Sequence, residues 1–226
     1  MNPARRAASA HVFVDSLLAP ELSDDDEHHL RRVLRIRPSD PITLCDGAGS
    51  WVVARLLAEG LSIESEVMSE PRPAPAVVLS AIPKGERLEW MVQKLTELGV
   101  TSLGLIDCAR SVVRWDGDRA QRHAERLRRV AREAAMQSRR AWLPELCGVV
   151  PFASAAQSPT TAIADPNGEP HLPAAVDTVL IGPEGGFTAA ELELVNLRLS
   201  LSHNVLRIET AALAAAVMLT LRHEFE

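Results

Sequence analysis

Cysteine is scarce in this chain of 226 residues: Cys45, Cys108 and Cys147 are scattered, odd in number and never spaced C-x-x-C. That argues against a disulfide framework and a cysteine-based zinc site, and it leads us to expect a reduced, cytoplasmic protein without a metal. No uncharged apolar run is long enough to span a bilayer, so no membrane contact is expected. The opening MNPARRAASAHVFVD lacks the apolar core of a secretory signal. Internal repeats and low-complexity tracts are also missing.

Apolar residues make up 46% of the chain, ample for a packed core, and the net charge is −6. An acidic total argues mildly against a polyanionic partner, but the charge is unevenly spread. Between Arg110 and Trp142 lie ten arginines and four acids, so this stretch carries +6 and the remainder −12. Attraction to phosphate depends on local patches rather than the total. A solvated helix face is the competing reading.

EPRPAPA (70–76), with three prolines, reads as a stiff linker between two domains, 1–72 and 73–226. Before it, HVFVD (11–15), ITLCD (42–46), WVVARLL (51–57) and LSIESEV (61–67) read as short strands. One helix is expected from Asp26 to Ile36, with Leu30, Val33 and Leu34 on one side and Arg31, Arg32 and Arg35 on the other. The pattern suggests a small β-barrel carrying a basic helix. After the linker, strands and helices alternate: PAVVLSAI (75–82), a helix Glu86–Leu98 stopped by Gly99, SLGLID (102–107), and a helix Arg119–Arg140. ELCGVV, TTAIAD and TVLIG follow as strands, then a helix Thr188–Leu199, a strand NVLRI (204–208) and an alanine-rich helix Thr210–Phe225. This alternation predicts an α/β domain with a parallel sheet covered on both faces.

Ligands of open α/β sheets bind beyond the carboxyl ends of strands. Three segments are expected at such ends: IPKGER (82–87), IGPEGG (181–186) and LRIETA (206–211). IGPEGG is neither G-x-G-x-x-G nor a P-loop, and Glu184 would repel a pyrophosphate, so dinucleotide binding is disfavoured. A ligand that is neutral or cationic near Glu184 suits the charge, although a tight structural turn is the plainer alternative. Thr188–Glu191 fits the T-x-x-E capping box that opens a helix.

In combination these stretches closely resemble the SPOUT superfamily of RNA methyltransferases, nearest to its RsmE-type branch. HHLRRVLRIRPSD and LCDGAG (44–49), KGERLEWMVQKLTELGV (84–100), ARSVVRW (109–115), REAAMQSRR (132–140), LIGPEGGFTAAELE and VLRIETAAL (205–213) recur in that family's order, almost end to end. The resemblance implies an N-terminal PUA-like β-barrel and a C-terminal SPOUT domain tied in a trefoil knot, an exception to the rule against knots. It further implies S-adenosylmethionine as cofactor, a homodimer that completes each site, and methylation of N3 of a uridine in small-subunit ribosomal RNA. The sulfonium cofactor is cationic, which suits an acidic turn.

By resemblance, the cofactor is held by Leu180, Ile181, Gly182, Pro183, Glu184, Gly185 and Gly186, by Leu201, and by Val205, Leu206 and Thr210. Pro166, in an ADPNG turn at another strand end, lines the same pocket. Leu201 and Leu206 would pack on the adenine; the alternative is that they are core. Arg207 stabilises charge on the uracil or holds a phosphate, and Glu209 is a base or orients that arginine; the alternative is an Arg207–Glu209 structural ion pair. Arg31, Arg32, Arg35, Arg110, Gln137, Ser138 and Arg140 are the expected RNA contacts. Trp51, Trp90, Trp115 and Trp142 could stack on bases, but core or surface packing is the commoner role for each. The chain departs from the family pattern at Met136, Asn204 and Ile208, where a glutamate, an arginine and a threonine are usual. A SPOUT enzyme acting at another RNA position, ribose 2′-oxygen included, and a non-catalytic RNA-binding assembly factor are the rival functions; a nicotinamide-dependent oxidoreductase is more remote.

Overall fold

The computed structural model describes residues 2–85, 87–113, 115 and 117–222. Glu86, Arg114 and the end of the last expected helix (223–225) lie outside them, as does the side chain of Arg119. The chain forms two compact units, Met1–Pro73 with Arg132–Leu143, and Ala74–Ala131 with Pro144–Glu226. None of the described helices is long and apolar enough to cross a membrane.

In the first unit, α1 (Pro3–Ala7) leads into β1 (Ala10–Phe13), which pairs in parallel with β2 (Pro41–Cys45). The strand β3 (Ser50–Leu57) runs antiparallel to β2, and β4 (Gly60–Ile63) and β5 (Met68–Ser69) both pair with it. Alternation buries Val12, Ile42, Leu44, Val52, Ala54 and Leu56 together. Instead of one helix from Asp26 to Ile36, α2 (Asp24–His28) passes into a π-helical turn, His29–Val33. Leu30 is buried, whereas Val33 and Leu34 are exposed. The helical path stops there because Leu34 is its cap and Arg35 adopts a left-handed φ of 53°, so the last turn does not deliver its apolar residues to the core.

Residues 132–143 join this unit through specific contacts. Gly49 N–H donates to Ala141 O at 3.0 Å, and Leu143 N–H to Gly47 O at 2.9 Å. Asp26 accepts from Arg132 at 2.8 and 3.2 Å and from Ser23 Oγ at 2.7 Å. Burial pushes its carboxyl up, but these hydrogen bonds outweigh that and hold it below the ordinary range. Trp51 is fully buried, and Trp142 Nε1 donates to Glu70 O.

His11 is buried between Thr43 Oγ1 and the Arg140 carbonyl, both at 2.8 Å. A carbonyl only accepts, so Nε2 carries the proton and Nδ1 accepts from Thr43. Burial pushes the imidazole down to about 4 from its ordinary 6.5. The unfolded chain therefore takes up this proton first as pH falls, and stability is lost from about 6.5 down to about 4. At pH ~5 the loss from this group should be about 2 kcal/mol. Urea unfolding of wild type and His11→Gln at pH ~7.5 and ~5 checks this; equal pH dependence in the two proteins would remove His11 as its source.

In the second unit β6 (Val77–Ser80), β7 (Ser102–Asp107), β8 (Glu145–Pro151), β9 (Thr161–Glu169), β10 (Thr178–Ile181) and β11 (Leu197–Leu199) form one sheet. Its order is β11-β9-β10-β6-β7-β8, and every pair is parallel. The helices α3 (Arg87–Glu97), α4 (Gly117–Gln137, whose end belongs to the first unit), α5 (Phe152–Ala155), α6 (Ala189–Glu193) and α7 (Ile208–Leu221) complete the chain. Leu88, Met91, Val92 and Leu95 form the buried face of α3, as their spacing predicts. Ala211, Ala212, Ala215 and Ala216 let α7 pack closely against α3, β6 and β10.

Two expectations fail near the carboxyl end. The helix read from Thr188 to Leu199 stops at Glu193, and Leu197–Leu199 is a strand instead. Leu197, Leu199 and Leu201 alternate with polar residues, and the open edge of β9 has unpaired backbone groups that this segment satisfies. The strand read over NVLRI (204–208) is a loop ending in α7: Val205 is 92% exposed, so its apolar pattern has no sheet face to cover.

Candidate functional site

From β6 the chain adds β7 and then β8 on one side, while β10, β9 and β11 lie on the other. The strand order thus reverses between β6 and β10, and such a switch point opens a crevice at the carboxyl ends of its strands. The turn after β6, Pro83–Gly85, and the glycine turn after β10 flank it. Lys84 Nζ lies 3.9 Å from Glu184 Oε1, so the two turns face each other.

The glycine turn has a buried root and an exposed tip: Leu180, Ile181 and Pro183 are buried, and Glu184, Gly185 and Gly186 are exposed. Gly186 N–H donates to Pro183 O at 2.8 Å and has φ 68°, which favours glycine. A Cβ on Gly182 would sit 2.9 Å from the Phe187 ring. The capping box then starts α6: Thr188 Oγ1 accepts from Glu191 N–H while Glu191 Oε2 accepts from Thr188 N–H at 2.8 Å.

The loop after β7 braces this turn. Glu191 Oε1 accepts from Ala109 N–H at 2.8 Å, and Arg110 Nη1 donates to Gly185 O at 2.8 Å and to Phe187 O at 3.3 Å. Burial pushes the Glu191 carboxyl up, but the N–H groups of Thr188 and Ala109 more than offset that and hold it below its ordinary value. Arg110 therefore reaches the very turn expected to hold the cofactor. Arg110→Ala should weaken cofactor binding about tenfold, the equivalent of one charge-assisted hydrogen bond, with the rate at saturating cofactor retained. Calorimetry checks this, and unchanged affinity would show that the turn stands without the arginine.

The third wall runs from β11 into α7. Leu201 and Leu206 are half-buried and pack against the main core, while Val205, Arg207 and Thr210 are exposed. Arg207 is the N-cap of α7 and offers no side-chain cap, so the first N–H groups of the helix are not claimed by that side chain. Glu209 is buried, and its carboxylate lies 3.4 Å from Arg87 Nη1. Among the described residues the ion-pair partner of Glu209 is thus Arg87, and the Arg207–Glu209 pair considered from sequence is not formed. Asn204 is exposed, with its N–H on Ser202 Oγ, and Ile208 is a buried first residue of α7.

Pro166 falls within β9 rather than in a turn and is exposed, in the stretch between Ile163 and Glu169 that β11 leaves unpaired: Arg198 lies opposite Ile163 and the next residue, Leu199, opposite Glu169. Beside it, Asp165 is buried, accepts from Asn167 N–H at 2.9 Å and meets Arg198 at 3.5 Å.

The remaining arginines and the QS pair belong to the first unit. Arg31 is bound to Glu27 at 2.7 Å and to Leu57 O, while Arg32 and Arg35 are exposed. Gln137 is exposed at the end of α4, Ser138 Oγ donates to Ala134 O at 2.7 Å, and burial lowers Arg140 to about 10. Met136 places its sulfur 3.2 Å from Arg132 Nη1 and packs in the apolar core of that unit.

Sequence reasoning assigned no individual role to Lys84 or Arg87, and gave Glu191 the capping box but not its bond to the loop after β7. For the first two a signal was present: IPKGER was placed at a strand end, but the partner strand that makes it a crevice wall is visible only in the sheet order. A separate cavity of about 270 Å³ between α3, α4, β7 and β8 is lined by Leu95, Leu103, Trp115 and Leu127 among others, with no ionisable group among the described residues. None of the loops at the switch point lines it, and Gln121 is the one polar side chain among its described lining residues. Among the described residues no three metal-ligating side chains converge.

The RNA methyltransferase domain family matches residues 70–220, and the RNA methyltransferase PUA domain family matches residues 22–63. Ribosomal RNA small subunit methyltransferase E of Mycobacterium bovis is 32% identical over 90% of this chain and 88% of its own length. A crystal structure of a probable rRNA-methyltransferase from Porphyromonas gingivalis superposes with TM-score 0.80 at 30% identity, covering 96% of this chain and 100% of that one. The crystal structure of the Neisseria gonorrhoeae ribosomal RNA small subunit methyltransferase E bound to S-adenosyl methionine does so with TM-score 0.76 at 30% identity, covering 94% and 97%. A PUA-like N-terminal domain followed by a SPOUT-type α/β domain, with two family matches and full-length relatives, places this chain in the ribosomal RNA small-subunit methyltransferase E family of RNA methyltransferases.

Proposed function

We propose that this S-adenosylmethionine-dependent RNA methyltransferase modifies N3 of a uridine in small-subunit ribosomal RNA, working as a cytoplasmic homodimer. Residues 1–72 dock the RNA and residues 73–226 carry the chemistry. The observation that carries the reading is the switch-point crevice, walled by a glycine turn bearing Glu184 and by the arginine-led start of α7.

The crevice suits the cofactor by the chemistry of its donors. Backbone groups of residues 180–186 and 205–210 match the hydrogen-bonding edge of an adenine, while Leu201 and Leu206 offer flanking apolar surface. The carboxylate of Glu184 complements positive charge. S-adenosylmethionine, when bound, supplies a methyl group already activated by its sulfonium. Residues of the chain then have to position the uracil, accept its N3 proton and stabilise the charge that develops on its carbonyl oxygens. In this reading Glu209 takes or orients the proton, and Arg207, exposed at the head of α7, faces the developing charge. The exposed Arg32 and Arg35, with Arg31, hold phosphates; Gln137, Ser138, Arg140 and the free donors of Arg110 extend that contact.

Two further parts of the reading have structural support. From β11 at the sheet edge the chain turns back so that α7 covers β6 and β10, the route a trefoil knot requires. The helix α7 is also apolar beyond its buried face, with Val217 and Leu221 about 40% exposed, which suits a dimer contact.

The test is to incubate the protein with methyl-labelled cofactor and small ribosomal subunits or their RNA, then identify the labelled nucleoside. N3-methyluridine is expected. Label on a ribose oxygen or another base would overturn the assignment, and RNA binding without cofactor binding would make the protein an assembly factor.

A further inference from the structure

The turn after β6 supplies two cations to the switch point, and neither had a role in the reading above. Lys84 faces Glu184, and Arg87, at the start of α3, faces Glu209 in the first turn of α7. The second pair is unusual in its burial. The side chain of Glu209 is 10% exposed, whereas that of Arg87 is 48% exposed. A carboxylate so enclosed is costly unless a charged or hydrogen-bonding partner meets it. Arg87 is the ion-pair partner present, and it approaches from the crevice side of the sheet, along the turn that faces Glu184.

The contact is a single long one, 3.4 Å between Nη1 and Oε1. Charge-assisted N–H···O bonds are usually about 2.7–2.9 Å. Arg87 thus holds Glu209 by charge, without closing both carboxylate oxygens in a two-pronged bond. A guanidinium has five donors in a fixed fork, so a single contact leaves the others open toward solvent. As a stability device such a pair is worth little, since half of it is screened by water. As a positioning device it has a clear consequence: Glu209 is kept at the crevice with an oxygen not engaged by Arg87, two residues after Arg207 at the head of α7.

We infer that Arg87 is a positioning residue for methyl transfer, acting through Glu209. The inference rests on Glu209 serving the transfer, as proposed above. It requires Arg87 and Glu209 to behave as one unit, so that removing either removes the same function.

The experiment is a double-mutant cycle with Arg87→Gln, Glu209→Gln and the pair, read as single-turnover methylation on whichever nucleoside the wild type labels. Crystal structures of wild type and Arg87→Gln give the second readout. Arg87→Gln is expected to slow transfer by roughly 10-fold or more, with the double variant no slower than Glu209→Gln alone and Arg87→Lys restoring part of the rate. In the Arg87→Gln crystal the Glu209 carboxylate should leave its place, and cofactor affinity by calorimetry should stay within about threefold of wild type. Wild-type rate in Arg87→Gln, multiplicative losses in the double variant, or an unmoved Glu209 would each overturn the inference. A different labelled nucleoside would overturn the uridine assignment and leave this cycle valid; should the wild type label none, the position of Glu209 in the two crystals still decides whether Arg87 sets it.

Discussion

Glu209→Gln is expected to lower the rate of methyl transfer by about 10²-fold or more, the range typical of a lost acid–base group, with cofactor affinity within about threefold of wild type. The carboxylate is buried at the head of α7, where it meets Arg87 and follows the exposed Arg207. The substitution keeps the shape and removes the charge. If Glu209 only closed the fold, the loss would fall on thermal stability and not on the rate. Single-turnover kinetics and thermal unfolding of the same preparation separate the two, and a folded variant with the wild-type rate would take Glu209 out of the mechanism.

Gly168→Ala should be among the most damaging small changes in the α/β domain. A Cβ at this position would lie 2.5 Å from both Arg198 C and Leu199 N. Those are backbone atoms of β11, and they cannot swing aside as a side chain can. The strands meet here at an irregular register, with Leu199 opposite Glu169 and Ser200 N–H donating to Glu169 O at 2.9 Å. Separating them should cost about 3 kcal/mol, the upper end for overpacking, or about 6–12 °C in Tm for a chain of this size. The strain would also pass into residues 200–207, which follow β11 directly, so cofactor affinity should fall as well. A Gly168→Ala protein with unchanged Tm and affinity would show that β11 moves freely, against the packing described here.

The contrast between Gly168 and Gly186 shows what the sequence can convey. Gly186 stands in IGPEGG, where its left-handed φ is legible from the turn it closes. Gly168 looks like part of a turn, ADPNG, and its need for a bare Cα comes from a strand that follows much later in the chain. The same reasoning accounts for the elements. The segments from β6 through β8 were legible because each had one period, a stop such as Gly99, and an apolar face of matching length. Residues 188–199 had two: Leu192, Val195 and Leu199 recur at helical spacing, while Leu197, Leu199 and Leu201 alternate. The capping box correctly began a helix, but the free edge of β9 decided where it ended.

For the site, the acidic glycine turn and the start of α7 stood out because charge and glycine at a strand end are local signals. Arg110 read as an exposed strand-end cation; that Nη1 would donate to carbonyls of the glycine turn follows from β7 lying two strands from β10. The Arg87–Glu209 pair joins two helix starts far apart in sequence, and no spacing rule connects them. Nor could composition foresee that several arginines of the +6 stretch serve the fold: Arg132 binds Asp26 and the Phe13 carbonyl, and Arg139 binds the carbonyls of Arg5 and Ala8.

A crystal structure of the protein soaked with S-adenosylmethionine tests the account most directly. The cofactor should occupy the crevice between the 182–186 turn and residues 205–210, with its adenine against main-chain groups and its sulfonium near Glu184. Density elsewhere, such as in the apolar cavity beside Trp115, with the switch-point crevice left bare, would contradict it.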